Sequence, residues 1–141
     1  MAGTVLRVMP KRTLDFTSVS SGPSNYEEIV VAQGIDISQW REVSLMVRTH
    51  ANSIVASGQI DIFAYLEGRT SEDPGILFAS TSPLGTVTIA SGAVAPAYSI
   101  GSIGSNTGGM LKVVARGTRV TSFGTNALKA DVSIDLSLKS A

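Results

Sequence analysis

The sequence predicts an all-β fold, an antiparallel β-sandwich or jelly-roll-like domain of about eight to ten strands. Three observations support this prediction. Apolar and polar residues alternate with a period of two, clusters of Gly, Pro, Ser and Asn separate the alternating segments, and no segment has the periodicity of an amphipathic helix. At 141 residues the chain is long enough to bury one core.

The clearest alternation lies in three long segments. In "REVSLMVRTH" the side chains of Val43, Leu45 and Val47 share one face, and "GQIDIFAYLEG" alternates in the same way. In "ALKADVSIDLSLKS" every second residue from Leu128 to Leu138 is apolar and the residues between are polar. Each of these segments therefore predicts a strand with one apolar and one polar face.

Shorter segments complete the predicted set: in chain order, residues 4–9, 12–19, 27–33, 75–81, 85–90, 98–102 and 110–117. Pro10 separates the first two, because proline cannot donate to a strand ladder. Around "DISQW" a single helical turn is an alternative, with Asp36 or Ser38 as its cap. We predict an extended N-terminal arm over residues 1–12 and one sandwich domain over residues 13–141.

Composition argues against several classes of partner. Lys and Arg total 11 and Asp and Glu total 11, so no positive surplus favours nucleic acid or an anionic membrane. The chain has no cysteine, which excludes disulfides and thiolate sites. No apolar run approaches the length of a membrane span, and "MAGTVLRVMPKR" lacks the apolar core of a signal peptide. We therefore expect synthesis in a cytoplasm and no membrane partner.

The polar residues predict no catalytic, cofactor or metal site. His50 is the only histidine, and no serine lies in a G-x-S-x-G elbow. Glu27 and Glu28 are adjacent and point to opposite faces of a strand, whereas Asp131 and Asp135 alternate with lysines as on a solvated surface. The glycine-rich "GSIGSNTGG" lacks the Gly-Lys-Ser/Thr ending of a phosphate loop. We expect no enzyme activity and no small-molecule substrate.

A few side chains suggest contact surfaces. Phe63 and Tyr65 lie on the otherwise polar face of their strand, which is typical of a surface covered by another chain or by a second sheet. Arg116 and Arg119 either hold a carboxylate of a partner or are solvated. Trp40 either plugs one end of the core or serves as a sugar-stacking platform.

The order of these segments resembles small virion proteins of tailed bacteriophages. In that pattern a strand begins with Asp36, Ser38 and Trp40 of "DISQW", and a second strand ends in "LEGRTSED". A strand with basic residues, "MLKVVARG", and the alternating C-terminal strand follow. The resemblance covers the chain from about residue 35 onward. It implies a β-sandwich that coats or joins parts of a capsid or tail.

The resemblance implies a capsid decoration (cement) protein on the outer surface of the virion. Its partners would be further copies of itself, with a trimer favoured, and the major capsid protein or another virion protein. The alternatives are a minor tail, collar or fibre-base protein, and a carbohydrate-binding module that stacks sugars on Trp40, Tyr65 or Tyr98. The candidate contact segments are residues 2–12 and 81–109, and the candidate interface residues are Val5, Leu6, Val8, Met9, Lys11, Arg12, Phe63, Tyr65, Tyr98, Ile100 and Ile103.

Overall fold

The computed structural model describes residues 3–18, 26–51, 53–55, 58–68, 78–80, 82–90, 92–94, 97–105, 109–119 and 128–140. For residues 54, 78, 92–94 and 97–105 it describes the backbone alone. The all-β prediction is confirmed, because the regular elements of these ranges are strands in two antiparallel sheets. Over the same ranges, no helix has the length and apolar character needed to cross a membrane.

The strands are numbered in their order along the chain. They are β1 (Gly3–Asp15), β2 (Tyr26–Asp36), β3 (Glu42–Thr49), β4 (Ser53–Val55), β5 (Gly58–Gly68), β6 (Phe78–Ala79), β7 (Gly85–Ile89), β8 (Gly92–Val94), β9 (Ala97–Ser105), β10 (Met110–Arg119) and β11 (Leu128–Lys139). The sequence analysis did not predict β4 and β8, which are too short to show an alternating pattern.

The strand pairing is that of a jelly roll. In sheet A, β1 pairs with one edge of β11, and β3 and β4 pair with the other edge and continue to β9 and β8. In sheet B, β2 is followed by β10 and β5, and β5 pairs with β6 and β7. If β3–β4, β6–β7 and β8–β9 each count as one interrupted strand, the first strand pairs with the last, the second with the seventh, the third with the sixth and the fourth with the fifth. This nested pairing defines the jelly roll.

The core lies between the two sheets and is built from the predicted apolar faces. The alternate residues Val43, Leu45 and Val47 of β3 are buried, as is every second residue of β11 from Leu128 to Leu138. Sheet B supplies the opposing layer, with Ile60, Ile62, Ala64, Leu111, Val113 and Ala115 buried. Burial of this continuous apolar layer is the main favourable contribution to folding.

Strand β1 passes through Pro10 and through the boundary that we placed after residue 12. It pairs with β11 from Gly3 opposite Lys139 to Asp15 opposite Lys129, so the segment predicted as an arm is hydrogen-bonded to the sandwich from Gly3 onward. The register shifts between Arg7 and Met9 and again between Met9 and Arg12. Pro10 lies in the second irregularity, where an extra residue is left unpaired and the missing N–H costs no ladder bond.

A bulge in β2 is held by a buried carboxylate of sheet B. Gly34 has a φ of 69°, a left-handed conformation that glycine adopts without steric cost. Its N–H donates to Glu67 Oε1 at 2.7 Å, and Glu67 is only 4% exposed. The bulge bends this edge of sheet B, because two residues of β2 lie opposite the single residue Lys112 of β10.

The segment "DISQW" forms a single hydrogen-bonded turn with Asp36 as its cap, and this turn is not continued into a helix. The N–H of Ser38 donates to Asp36 Oδ1 at 2.8 Å, and the N–H of Trp40 donates to the carbonyl oxygen of Ile37 at 3.1 Å. Asp36 thus accepts from the N–H two residues on, as a capping or Asx-turn aspartate does, and the turn ends at Trp40 before β3 begins.

We predict that Gly117→Ala destabilises the protein. A Cβ at residue 117 would overlap with Cβ and Cγ of Phe16, which is fully buried. Overpacking of this kind should lower the free energy of unfolding by about 1–3 kcal/mol in denaturant titrations. Gly68→Ala is the matched control, because a Cβ there meets no atom within 4 Å. Equal stability of the two variants would contradict the packing of Phe16 on β10.

Candidate functional site

One side of the sandwich combines open strand edges with exposed apolar side chains. In the described chain, β1 of sheet A and β2 of sheet B each pair with a neighbour along one edge only, and they contact each other. Val5 and Leu6 of β1 are 60% and 41% exposed, and Tyr26 and Val30 of β2 are 52% and 49% exposed. We call this surface, defined by Val5, Leu6, Tyr26 and Val30, the β1–β2 side.

The candidate interface residues lie on three strands, β1, β5 and β9. Val5, Leu6, Lys11 and Arg12 are exposed on β1, Val8 is half-buried against the core, and Met9 is buried in it. Phe63 and Tyr65 are half-buried on the outer face of sheet B. Tyr98, Ile100 and Ile103 lie on β9, where the backbone pairs with β3 and the side chains are outside the described part.

The outer face of sheet B carries an aromatic group around an arginine. The ring centroids of Phe63 and Tyr65 lie 5.9 Å apart with a tilt of 41°. The guanidinium of Arg116 lies over two rings, 4.4 Å from the centroid of Tyr26 and 4.8 Å from that of Phe63. Cation–π contacts of this kind hold the guanidinium plane in a fixed orientation.

The hydrogen-bonding capacity of Arg116 is largely unused. Its Nη2 lies 3.4 Å from Glu28 Oε2, which is long for a charge-assisted hydrogen bond. Its Nε is buried and makes no hydrogen bond. An arginine has five N–H donors in a fork that matches a carboxylate, so this side chain is fixed in position with donors to spare.

A shallow depression of about 250 Å³ lies beside this arginine. Its lining includes Arg116, Lys112, Glu28, Tyr65 and Ser80, with the apolar side chain of Val114 among them. Lys112, Val114 and Arg116 share one face of β10 because side chains alternate along a strand. This period-two signal was present in the sequence, whereas the pairing that brings Glu28 and Tyr65 alongside them was not.

The two arginines of "ARGTR" lie on opposite faces of β10. Arg116 faces outward from sheet B, whereas Arg119 is only 2% exposed and donates from Nη2 to the carbonyl oxygen of Thr17 at 2.8 Å. The hypothesis that both together hold one carboxylate therefore fails. They are three positions apart, an odd number, which places them on different faces of a strand.

The outer face of sheet A is polar and closed by its own side chains. Ser133 and Asp135 of β11 point away from the core, yet they are only 4% and 7% exposed. Asp135 Oδ1 lies 2.6 Å from Nε of Arg7 on β1. Asp131 Oδ1 accepts a hydrogen bond from the hydroxyl of Thr13 at 2.6 Å. These contacts connect β1 to β11 across the outer face, so the two aspartates serve the structure of the sheet.

His50 is close to a serine but does not form a catalytic triad with it. Its Nε2 lies 3.0 Å from Ser133 Oγ. A triad also needs a carboxylate that orients the histidine. Asp131 is the acid whose charge acts on this ring, but its Oδ1 accepts a hydrogen bond from the hydroxyl of Thr13. Burial lowers the pKa of His50 below its usual value, and the charge of Arg48 acts in the same direction. The surroundings of the ring therefore disfavour its charged form.

The remaining candidates have structural surroundings. Trp40 is partly buried and packs against the core, as expected for a plug at the end of the sandwich. The acidic pair Glu72 and Asp73, at the end of "LEGRTSED", lies outside the described residues. Across the described residues, no group of three or more His, Cys, Asp or Glu side chains is arranged to hold a metal ion.

Comparisons with known proteins show a shared fold. No protein-family model and no curated protein match the sequence. The chain is similar to the crystal structure of the infectious bursal disease virus VP2 subviral particle, with 14% identity and a TM-score of 0.59 over 97% of this chain and 31% of that one. A structure of the infectious bursal disease virus Gt strain matches over the same shares, with 9% identity and a TM-score of 0.48. The chain thus spans about a third of the length of each.

We predict that His50 titrates below its ordinary pKa of about 6.5. The chain contains one histidine, so a proton NMR titration follows a single imidazole resonance. Because the folded-state pKa is lowered, the unfolded chain takes up the proton first on acidification. The contribution of His50 to stability is therefore complete above the unfolded pKa and is lost as the pH falls towards the folded pKa.

One substitution and one control test the contribution of Arg48 to this pKa shift. Arg48→Gln should raise the pKa of His50 because it removes a nearby positive charge. Lys112→Gln on sheet B should leave that pKa unchanged. A wild-type pKa at or above the ordinary value, or equal effects of the two substitutions, would contradict the described surroundings of His50.

Proposed function

We propose that this protein is a non-enzymatic structural component of a virion that acts through protein–protein contacts. The observation that carries the proposal is the jelly roll, which is similar over 97% of this chain to a structure of a VP2 subviral particle. Jelly rolls are common in viral capsids, although the fold alone also serves other functions. The surface features of this chain supply the independent support.

The β1–β2 side is the proposed contact surface between copies. Open strand edges offer unpaired N–H and C=O groups to a neighbouring chain, and exposed apolar side chains add area to bury. Four of the five large hydrophobic side chains found exposed in the described part are Val5, Leu6, Tyr26 and Val30, and they all lie on this side. The fifth is Leu84, which precedes β7 at the other edge of sheet B.

Within this class, the finer proposal is a capsid decoration protein of a bacteriophage, on the outer surface of the head. It would assemble as a closed homo-oligomer, with a trimer favoured, and bind the major capsid protein or another virion protein. The bulges of β1 and the charge of Lys11 interrupt the open edge of this strand, and they limit its pairing with a second copy to its first residues. This limit favours a closed oligomer. Residues 81–109 remain a second proposed contact segment.

We predict that Leu6→Lys disrupts self-association. A lysine on an open strand edge adds a charge that must be desolvated in the contact. Sedimentation velocity over a range of protein concentrations should show a closed oligomer for the wild type and a shift of about tenfold or more in the dissociation constant for the variant, the effect of about 1.4 kcal/mol.

Leu84→Lys is the matched control, because Leu84 is 43% exposed against 41% for Leu6 and lies at the opposite edge. This variant should associate as the wild type does. A wild type that stays monomeric at every concentration, or equal effects of the two lysines, would argue against the β1–β2 side. For the finer role, binding of the protein to virus capsids prepared without it should be visible by cosedimentation.

A further inference from the structure

We propose that the depression on the outer face of sheet B binds a single acidic sugar residue, with the sugar carboxylate on Arg116. Three features of the depression converge on this ligand: a fixed arginine with unused donors, a second cation, and an aromatic wall beside an apolar floor. The inference rests on the outer side chains of sheet B. It shares Tyr26 with the β1–β2 side but does not depend on the role proposed for that side.

Arg116 supplies a prepared carboxylate site. Its guanidinium is held between the rings of Tyr26 and Phe63, at 4.4 and 4.8 Å from their centroids. Ordering a long side chain when a ligand binds costs free energy, and here the side chain is already ordered in the free protein. Its contact with Glu28 is long, at 3.4 Å, and Nε makes no hydrogen bond. Since Nε is buried, a ligand carboxylate would bond to the Nη groups of this guanidinium.

The charge around the depression favours an anion. Lys112 and Arg116 contribute two positive charges to the lining and Glu28 one negative charge. The nearby Asp61 does not add to this balance as a free acceptor, because it already accepts hydrogen bonds from Gln59 Nε2 at 2.8 Å and from Thr88 Oγ1 at 2.6 Å. Glu28 is therefore the one acid of the lining that competes directly with a ligand for Arg116.

Shape and polarity favour a sugar over an acidic peptide. The volume of about 250 Å³ is smaller than the usual pocket for a drug-sized ligand and fits one ring. Tyr65 offers an aromatic surface for the C–H groups of a sugar ring, and Val114 lies in the floor. Ser80 donates its hydroxyl hydrogen to the carbonyl oxygen of Ser82, so its oxygen is left to accept from a sugar hydroxyl.

The test compares three probes by saturation-transfer difference NMR and by titration: methyl β-D-glucuronide, methyl β-D-glucoside and capped glutamate. We expect saturable binding of the glucuronide with a dissociation constant on the order of millimolar, as one shallow contact allows. The other two probes should bind at least about tenfold more weakly. Equal binding of the glucoside, stronger binding of capped glutamate, or no saturable binding of the glucuronide would overturn the proposal.

Substitutions test how each side chain contributes to glucuronide binding. Arg116→Lys keeps the charge but loses the planar fork, and should weaken glucuronide binding at least about fivefold. Glu28→Gln removes the competing carboxylate and should strengthen it. Lys139→Gln, an exposed position on sheet A, is the control and should have no effect. Weaker binding in Glu28→Gln, with an unchanged unfolding transition, would contradict the proposed site. Because Arg116→Lys leaves Tyr26 in place, loss of sugar binding in this variant should not change self-association through the β1–β2 side.

Discussion

Sheet A depends on the pairing of β11 with strands on both of its edges. On one edge β11 pairs with β1, from the other end of the chain, and on the other edge it pairs with β3 and β4. This arrangement buries the apolar face of β11 in the core and also covers polar residues on its outer face, including Ser133 and Asp135. The jelly roll therefore closes only when the two ends of the chain meet, which makes its folding dependent on long-range contacts.

The sequence predicted the fold class and the long strands because their side chains alternate between a buried and an open face. β3, β5 and β11 show this pattern over enough residues to be recognised. The sequence could not predict that β1 continues through Pro10, because the bulge that accommodates the proline depends on how β1 pairs with β11. It also could not distinguish the exposed Leu6 from the buried Met9, since a register shift between them moves Met9 into the core.

The sequence also could not predict which side chains meet on the surfaces of the two sheets. The sequence singled out Phe63 and Tyr65 as unusual on a polar face, and the structure adds what surrounds them. Tyr26 and Glu28 come from β2, more than thirty residues earlier in the chain than Phe63, and only the pairing of β10 with both β2 and β5 brings them to Arg116. On the outer face of sheet A, the ion pair between Arg7 and Asp135 connects β1 to β11. On the outer face of sheet B, the Nε of Arg116 has no hydrogen-bond partner. The two faces thus suit different roles.

Hydrogen exchange followed by mass spectrometry, at low and high protein concentration, tests the central claim that copies associate through the β1–β2 side. The account predicts that peptides covering residues 3–9 and 26–32 gain protection as the protein associates, because their open edges become paired or covered. Peptides covering β7, at the opposite edge of sheet B, should not change. Protection gained at β7 alone, or association without any change in β1 and β2, would contradict the account.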